Sequence, residues 1–566
     1  MNKTILSSII ISAAAMSLAS CSDFLDTTPT DKVSDLTVWS KYEYAQLHAN
    51  YMYEDLNLIS GYGDGSGCTR DCWIGLTEAL TPLFKYGGYN YSSLNRLPSE
   101  MSYGSAITLS RSYVDSYLGN WGTLYGYIAT ANQAIANLRQ FGTFDEDKKA
   151  EIEAEFRFFR AYYYATLAKR YPTLILYTEN LNEYQKDKEP VDVSVIYDFI
   201  YEDLKFAGEH LPVSTTPNGR LTSGTAYAVM SRVMLYAERW DKAIEGAEKV
   251  LGMGYTMGYS DLQTPFTEGG EGAIFQICFS IEAERTHSMD SYYAPGGDKA
   301  AYDNPLSGGY GCPTQEMVES FELASGGFPD WSAWHTEEGT LETPPYALLE
   351  PRFANTVLYN GATWKEDSRV INTTVIGKSE KRNEGFMEWT SDDLCNGRTT
   401  TGYYLRKLLD ENFRYENNGK STKPYTFIRL AEVYLNYAEA LFHANRSTDA
   451  VAALNAVRTR QAVGLPAASG LSGDRIMEAI RQERKVELAY EGHYYWDMRR
   501  WKLAEEAFTG VRAHGLKITD TADGLHYQWV SVDDQDRNFP AKMYYCPIPQ
   551  SELDNNKNIT QISVWQ

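Results

Sequence analysis

The sequence predicts a mostly α-helical chain whose helices pair as hairpins around one long irregular insertion. Three observations predict it. Residues 120–140 carry the apolar spacings of three and four that mark an amphipathic helix, and 145–171 and 193–210 read as further helices, stopped by Pro172 and Pro212. Residues 222–251 and 425–460 share one helix–turn–helix plan. Between those hairpins, residues 252–424 are rich in Gly, Pro, Thr and aromatics and hold only short helical runs.

The chain opens with Lys3, a mostly apolar run from Ile5 to Ala19, and then Leu18-Ala19-Ser20-Cys21. A basic tip, a short apolar run and small residues before a cut site predict a secretory signal over 1–20. Leu-Ala-Ser-Cys resembles the bacterial lipobox, which implies a diacylated Cys21 at the start of the mature chain. Residues 21–36 then form a polar, Pro-containing tether. The apolar run falls short of the ~20 residues of a membrane span, so the lipid is the expected anchor. The formal net charge of −23 excludes binding of nucleic acid through phosphates, which needs a basic surface. It also repels anionic headgroups, which leaves anchoring to the acyl chains.

Helical signals begin near Trp39. Residues 60–104 interrupt them with Gly61, Gly63, Gly65, Gly67, Gly87 and Gly88. In 120–140 the stripe is Trp121, Leu124, Ile128, Ala131, Ile135 and Leu138. The next helix is strongly aromatic and stops at Pro172, and the one after it stops at Pro212. In the first hairpin, Ala226, Tyr227, Met230, Val233 and Leu235 face Ala243, Ala247 and Val250 across a turn at Arg239-Trp240-Asp241. In the second, Tyr434, Leu435, Ala438 and Leu441 face Ala450, Leu454 and Val457 across a turn at Asn445-Arg446-Ser447-Thr448. Small residues at matched places let paired helices approach closely. Pairs of ~34 residues are the tetratricopeptide arrangement, although an ordinary helical hairpin needs the same spacing. Ala273–Phe279 reads as a short buried strand.

Chemistry-bearing motifs are scarce. Gly-x-Ser-x-Gly, the phosphate-binding Gly-rich loop and His-Glu-x-x-His are all missing. Asp533-Asp534-Gln535-Asp536 lacks the Gly and terminal Glu of a calcium loop and reads as a solvated turn. No cofactor, metal site or catalytic residue is expected. Cys68 and Cys72 are close enough for a disulfide in an exported protein; Cys278, Cys312, Cys395 and Cys546 read as free thiols. Arg481, Glu483, Arg484, Glu487 and Glu491 sit at helical spacings that permit ion pairs, with Arg499 and Arg500 following. Such a cluster reads as a solvated face or a packing network.

Several segments resemble the SusD/RagB family of surface nutrient-binding lipoproteins. They are Cys21-Ser-Asp-Phe-Leu-Asp; Ala154-Glu-Phe-Arg-Phe-Phe-Arg-Ala-Tyr-Tyr-Tyr; Ile428-Arg-Leu-Ala-Glu-Val-Tyr-Leu-Asn-Tyr-Ala-Glu-Ala-Leu; and Ile480-Arg-Gln-Glu-Arg-Lys-Val-Glu-Leu-Ala-Tyr-Glu-Gly-His, which runs into Tyr495-Trp-Asp-Met-Arg-Arg-Trp501. Pro547-Ile-Pro-Gln-Ser-Glu-Leu-Asp follows near the end. Tyr494 and the Tyr171-Pro-Thr-Leu-Ile-Leu stretch depart from the usual family pattern. The resemblance implies one domain over 37–566, with a tetratricopeptide-like scaffold over 37–251 and 425–566 and a loop-rich ligand face over 252–424. It implies an outer-membrane lipoprotein facing outwards that captures oligosaccharide or polysaccharide. It also implies a partner, a SusC-like TonB-dependent barrel that such proteins cover like a lid. A peptide or other nutrient is the alternative ligand, and a surface glycosidase is a third reading.

A sugar ring has a flat C–H face and a rim of hydroxyls, so it suits an aromatic platform flanked by polar groups. With 43 Tyr, 12 Trp and 21 Phe, most rings must fill the core, so those on Gly-rich loops are the better candidates. In 60–104 these are Trp73, Tyr86, Tyr89 and Tyr91, with Asn90 and Asn95 as polar partners. In the central region they are Tyr292, Tyr293, Trp331, Trp334, Trp364 and Trp389. Each has a second reading as a plug of the scaffold.

Overall fold

The structure is a computed structural model that describes residues 38–60, 77–86, 100–215, 219–296, 308–365, 369–375, 384–389, 397–413 and 420–566. Among the described residues, the six long helices before the insertion are α1 (Tyr42–Ser60), α2 (Trp121–Phe141), α3 (Glu146–Ala168), α4 (Val193–His210), α5 (Ser223–Tyr236) and α6 (Trp240–Leu251). From α2 onward each packs on the next, and α1 packs on α3. That position explains the sequence of α3. Phe156, Phe158, Phe159, Tyr163 and Tyr164 are buried all round it because neighbours cover several faces. Its N-terminus is capped by Asp145, whose carboxylate accepts from Asp147 N and Lys148 N at 3.1 Å each.

Short helices of the insertion include α7 (Met289–Tyr293) and α8 (Gln315–Val318), with a further one at Pro351–Thr356. Beyond it lie α9 (Leu430–His443), α10 (Ser447–Arg458), α11 (Asp474–Glu487) and α12 (Tyr494–Arg500). α6 packs directly on α9, so the hairpins on either side of the insertion are neighbours in space. Both turns use one geometry, and it lies one residue from the positions read in the sequence. Helices α6 and α10 begin at Trp240 and Ser447, after left-handed Glu238 (φ 54°) and Asn445 (φ 60°).

Strands are short, and those of three residues or more among the described residues are β1 (Phe84–Tyr86), β2 (Ala273–Ile277), β3 (Gly311–Pro313), β4 (Tyr425–Arg429), β5 (His514–Thr521) and β6 (Gly524–Ser531). β2 and β4 pair antiparallel, with Tyr425 opposite Ile277 and Arg429 opposite Ala273. The insertion therefore enters and leaves the scaffold through one two-stranded sheet. β5 and β6 form a hairpin.

The charge cluster of the C-terminal motifs is a buried packing network. The Glu487 carboxylate accepts from Arg429 Nη1 at 2.6 Å, Arg460 Nη2 at 2.7 Å and Arg352 Nη1 at 3.0 Å. Glu491 takes Lys407 Nζ and Arg429 Nη2, each at 2.6 Å. Burial opposes ionisation of Glu487, but Arg460, Arg429 and Arg352 outweigh it and hold the carboxyl well below its usual range. Arg352 and Lys407 come from the insertion, so this network fastens the insertion to α11.

Asp533 is also buried, not solvated. It accepts from Lys85 Nζ at 2.9 Å and Arg537 Nε at 2.7 Å, while Asp536 nearby pairs with Arg512 in the open. Cys278, Cys312 and Cys546 are free thiols. Among the described residues, no helix is long and apolar enough to cross a membrane.

Candidate functional site

The two aromatic, Gly-rich segments singled out in the sequence meet at one place. β1, from the first segment, pairs antiparallel with β3, from the insertion: Phe84 faces Pro313, Lys85 faces Cys312 and Tyr86 faces Gly311. Gly311 is required there. A Cβ on it would lie 2.3 Å from the Phe84 ring and 3.0 Å from Tyr293.

Immediately beside this pairing stand Tyr292, from α7, and Tyr310. Both are half-buried. Their ring centroids are 5.0 Å apart and their planes 39° apart. The backbone fixes the pair. Tyr310 N donates to Tyr292 O at 3.0 Å, and Gly309 N donates to Ala294 O at 3.0 Å. Gly296 N donates to Gly397 O at 2.8 Å, tying a third segment into the same layer. Gly309 has φ 66°, and a Cβ on it would lie 2.6 Å from Arg398 O. Only glycine fits both the turn and the close approach.

Below the rings the polar groups are committed to the fold. The buried carboxylate of Asp290 accepts from Asp410 N at 2.7 Å and from the Ser421 hydroxyl. Burial pushes it up to about 6. His287 receives Met289 N on Nδ1 at 3.2 Å, which leaves Nε2–H to donate to Lys423 O at 2.8 Å. Burial lowers His287 to about 4, so it is neutral at pH 7. Lys85 lies under the Trp389 ring at 3.4 Å from its centroid and joins Tyr103 to Asp533. These groups brace β1 and α7. Among the described residues, no three His, Cys, Asp or Glu side chains converge as a metal-ligand set.

The other candidate rings fall into two groups. Trp73, Tyr89, Asn90, Tyr91 and Asn95 lie outside the described residues, as do Cys21, Cys68, Cys72 and Cys395. Tyr293, Trp331, Trp334, Trp364 and Trp389 are buried. Trp334 donates its Nε1–H to Glu342 O at 2.8 Å and packs edge-on against Trp331 at 5.6 Å. Tyr346 and Phe353 extend that cluster. Burial tells against the expectation for Tyr293, Trp331 and Trp334: these rings pack within the main hydrophobic core, which leaves them little open face. Sequence reasoning passed over Tyr310. The signal was present, since Gly308, Gly309 and Gly311 surround it.

Comparison with known proteins identifies the fold and the family. The SusD family model matches residues 271–565. A second family model, described as starch-binding associating with outer membrane, matches residues 84–235. A SusD-like protein P2 of Formosa agariphila is 27% identical over 454 residues, which cover 78% of each chain. The structure is similar to that of a SusD-like protein of Bacteroides fragilis, with a TM-score of 0.75 and 24% identity, covering 95% of this chain and 100% of that one. It is similar also to a SusD-like carbohydrate binding protein of the same organism, with a TM-score of 0.73 and 21% identity over 93% of this chain and 100% of that one. The helical scaffold is thus the tetratricopeptide-like fold of those proteins, and the chain belongs to the SusD family.

Proposed function

We propose that this protein is a cell-surface glycan-binding lipoprotein. Lipidated Cys21 holds it on the outer face of the outer membrane. It captures oligosaccharide or polysaccharide and delivers it, uncleaved, to a SusC-like TonB-dependent barrel. Tyr292 and Tyr310 form part of the stacking platform, with Trp73, Tyr89, Asn90 and Tyr91 supplied by the segment that β1 anchors.

The observation that carries this reading is the β1–β3 pairing, which puts the half-buried Tyr292–Tyr310 pair at the junction of both aromatic loop segments. Family membership supports it, as does the carbohydrate binding named for a relative of the same fold. The binding-only reading draws on Asp290. This acid, two residues from Tyr292, is fully engaged by Asp410 N and Ser421, whereas glycoside hydrolysis needs two carboxyl groups across the bond.

The test is calorimetric titration of the mature protein against a panel of plant, host and microbial polysaccharides. Tyr292→Ala with Tyr310→Ala should cost about 1–3 kcal/mol of binding, as removal of interface hot spots does, with an unchanged melting temperature. New reducing ends that survive purification and vanish on one Asp or Glu substitution would overturn the binding-only reading. Affinity that ignores both tyrosines would overturn the site.

A further inference from the structure

A second open groove lies away from the Tyr292–Tyr310 pair, between α1 and the end of β2. Its volume is 690 Å³, within the range of about 300–1,000 Å³ usual for ligand sites. Ile277 and Phe279 are half-buried on one side. Tyr51 rises on the other and is 77% exposed, the most of any large apolar side chain among the described residues.

The walls are braced. Ser280 and Arg285 exchange backbone hydrogen bonds of 2.7 and 2.9 Å, which closes a tight turn. Arg285 Nη1 then pairs with Glu54 of α1 at 2.9 Å and pins that turn to the helix. Asn50, one residue before Tyr51, uses its Oδ1 to accept Arg220 Nη1 at 2.8 Å. That bond directs its amide N–H groups away from Arg220. The groove therefore combines an exposed ring, an apolar floor, an amide and one internally paired cation.

We infer that this groove is a second saccharide site, and that it takes a neutral polysaccharide. This rests on the glycan-binding reading above. Neutrality follows from charge: Arg285 is already paired, Glu54 and Glu284 line the same walls, and the chain carries −23 overall. Among the described residues that line it, the one cation is Arg285, which Glu54 already pairs, so a uronic or sulfated polymer is not favoured there. The two places are linked through the chain. Phe279 packs on His287 at 4.7 Å between centroids, and His287 accepts from the first amide of α7, the helix that carries Tyr292. A polymer that meets both sites gains avidity, whereas a fragment that fills one site does not.

The experiment uses the mature protein, Tyr51→Ala, Tyr51→Trp and the Tyr292→Ala/Tyr310→Ala double variant. Each is run through affinity gels of starch, laminarin, xylan, mannan and pectin, and titrated with tetrasaccharides of whichever polymer retains the wild type. Tyr51→Ala should weaken retention by a neutral polymer at least fivefold while tetrasaccharide affinity and melting temperature hold. Tyr51→Trp should retain at least wild-type binding. Equal retention of wild type and Tyr51→Ala overturns this second site and leaves the first standing. Retention only by pectin overturns the neutral-polymer assignment. Retention by no polymer overturns both this site and the reading on which it rests.

Discussion

Glu487→Gln is the sharpest test of how the insertion is held. The carboxylate lies among Arg352, Arg429 and Arg460, at 3.0, 2.6 and 2.7 Å, and its backbone oxygen takes Lys407 Nζ at 2.8 Å. Those four cations are balanced by Glu350, Glu483, Glu487 and Glu491. The amide keeps the shape and one acceptor but leaves one buried positive charge uncompensated. Breaking a buried pair from one side costs about 3–5 kcal/mol. Because Gln still accepts a hydrogen bond, the lower end is expected, about 3 kcal/mol. The assay is urea unfolding of the mature protein, with Asp449→Asn as control. Asp449 pairs with Arg446 at 2.8 Å, but both side chains are about half exposed, and such a pair contributes at most about 1 kcal/mol. Amide exchange near Arg352 should speed in Glu487→Gln and not in the control. If Glu487→Gln proves no more costly than Asp449→Asn, the network is not what fastens the insertion.

Three further outcomes follow from individual sites. Trp334→Ala should lower stability by about 3–5 kcal/mol, as other buried Trp truncations do, and leave glycan affinity unchanged in calorimetric titration. Glu439 is held at about 2 because Arg500 and Arg484 outweigh its burial, so its stabilisation of about 3 kcal/mol is complete above pH 4.5 and lost as pH falls towards 2. Burial of neutral His287 adds a loss of stability between pH 6.5 and 4. Urea midpoints measured from pH 7 to 3 should therefore fall for the wild type, and fall less for Glu439→Gln, which starts lower. Glu238→Gly should raise stability by about 0.5–1 kcal/mol, because Glu238 is exposed with φ 54° and glycine relieves the left-handed strain. A drop in the thermal midpoint would contradict that account.

The scaffold was legible in the sequence because its signals are local. Val193–His210 runs between Asp192, whose side chain caps Ser194 N at 2.8 Å, and a stop before Pro212. Period and cap are both written within the segment. β4 was not legible. Tyr425-Thr-Phe-Ile-Arg429 abuts α9 and reads as its first turn, yet it is a strand because β2, some 150 residues earlier, pairs with it. Asp533 shows the same limit. An acidic run in a loop looks solvated until Lys85, 448 residues earlier, is brought to it. The rings fail for a related reason. Glycine-rich context marks Trp331 and Trp334 as loop residues, but the loop folds onto itself and buries them. Exposure is decided by distant partners, and no local spacing encodes it.

Topology explains how such a chain can vary its ligand face without losing its scaffold. β2, near the start of the insertion, pairs with β4 at its end, and α6 and α9 pack directly on each other. The hairpins need nothing from the insertion to meet. Among the fastenings of the insertion are the β2–β4 sheet near its root, the β1–β3 pairing, and the Arg352 and Lys407 contacts to Glu487 and Glu491. Loops between those fastenings are free to change length and sequence at little cost to the helices, since closure entropy grows only slowly with loop length. Tyr292, on the short helix α7, and Tyr310, on the turn before β3, lie in that region, held by Gly309, Gly311 and the strand pairing with β1. Under the proposed glycan-binding role, specificity would reside in a few glycine-defined turns and ring positions, and affinity for a long polymer in how many such places the surface offers.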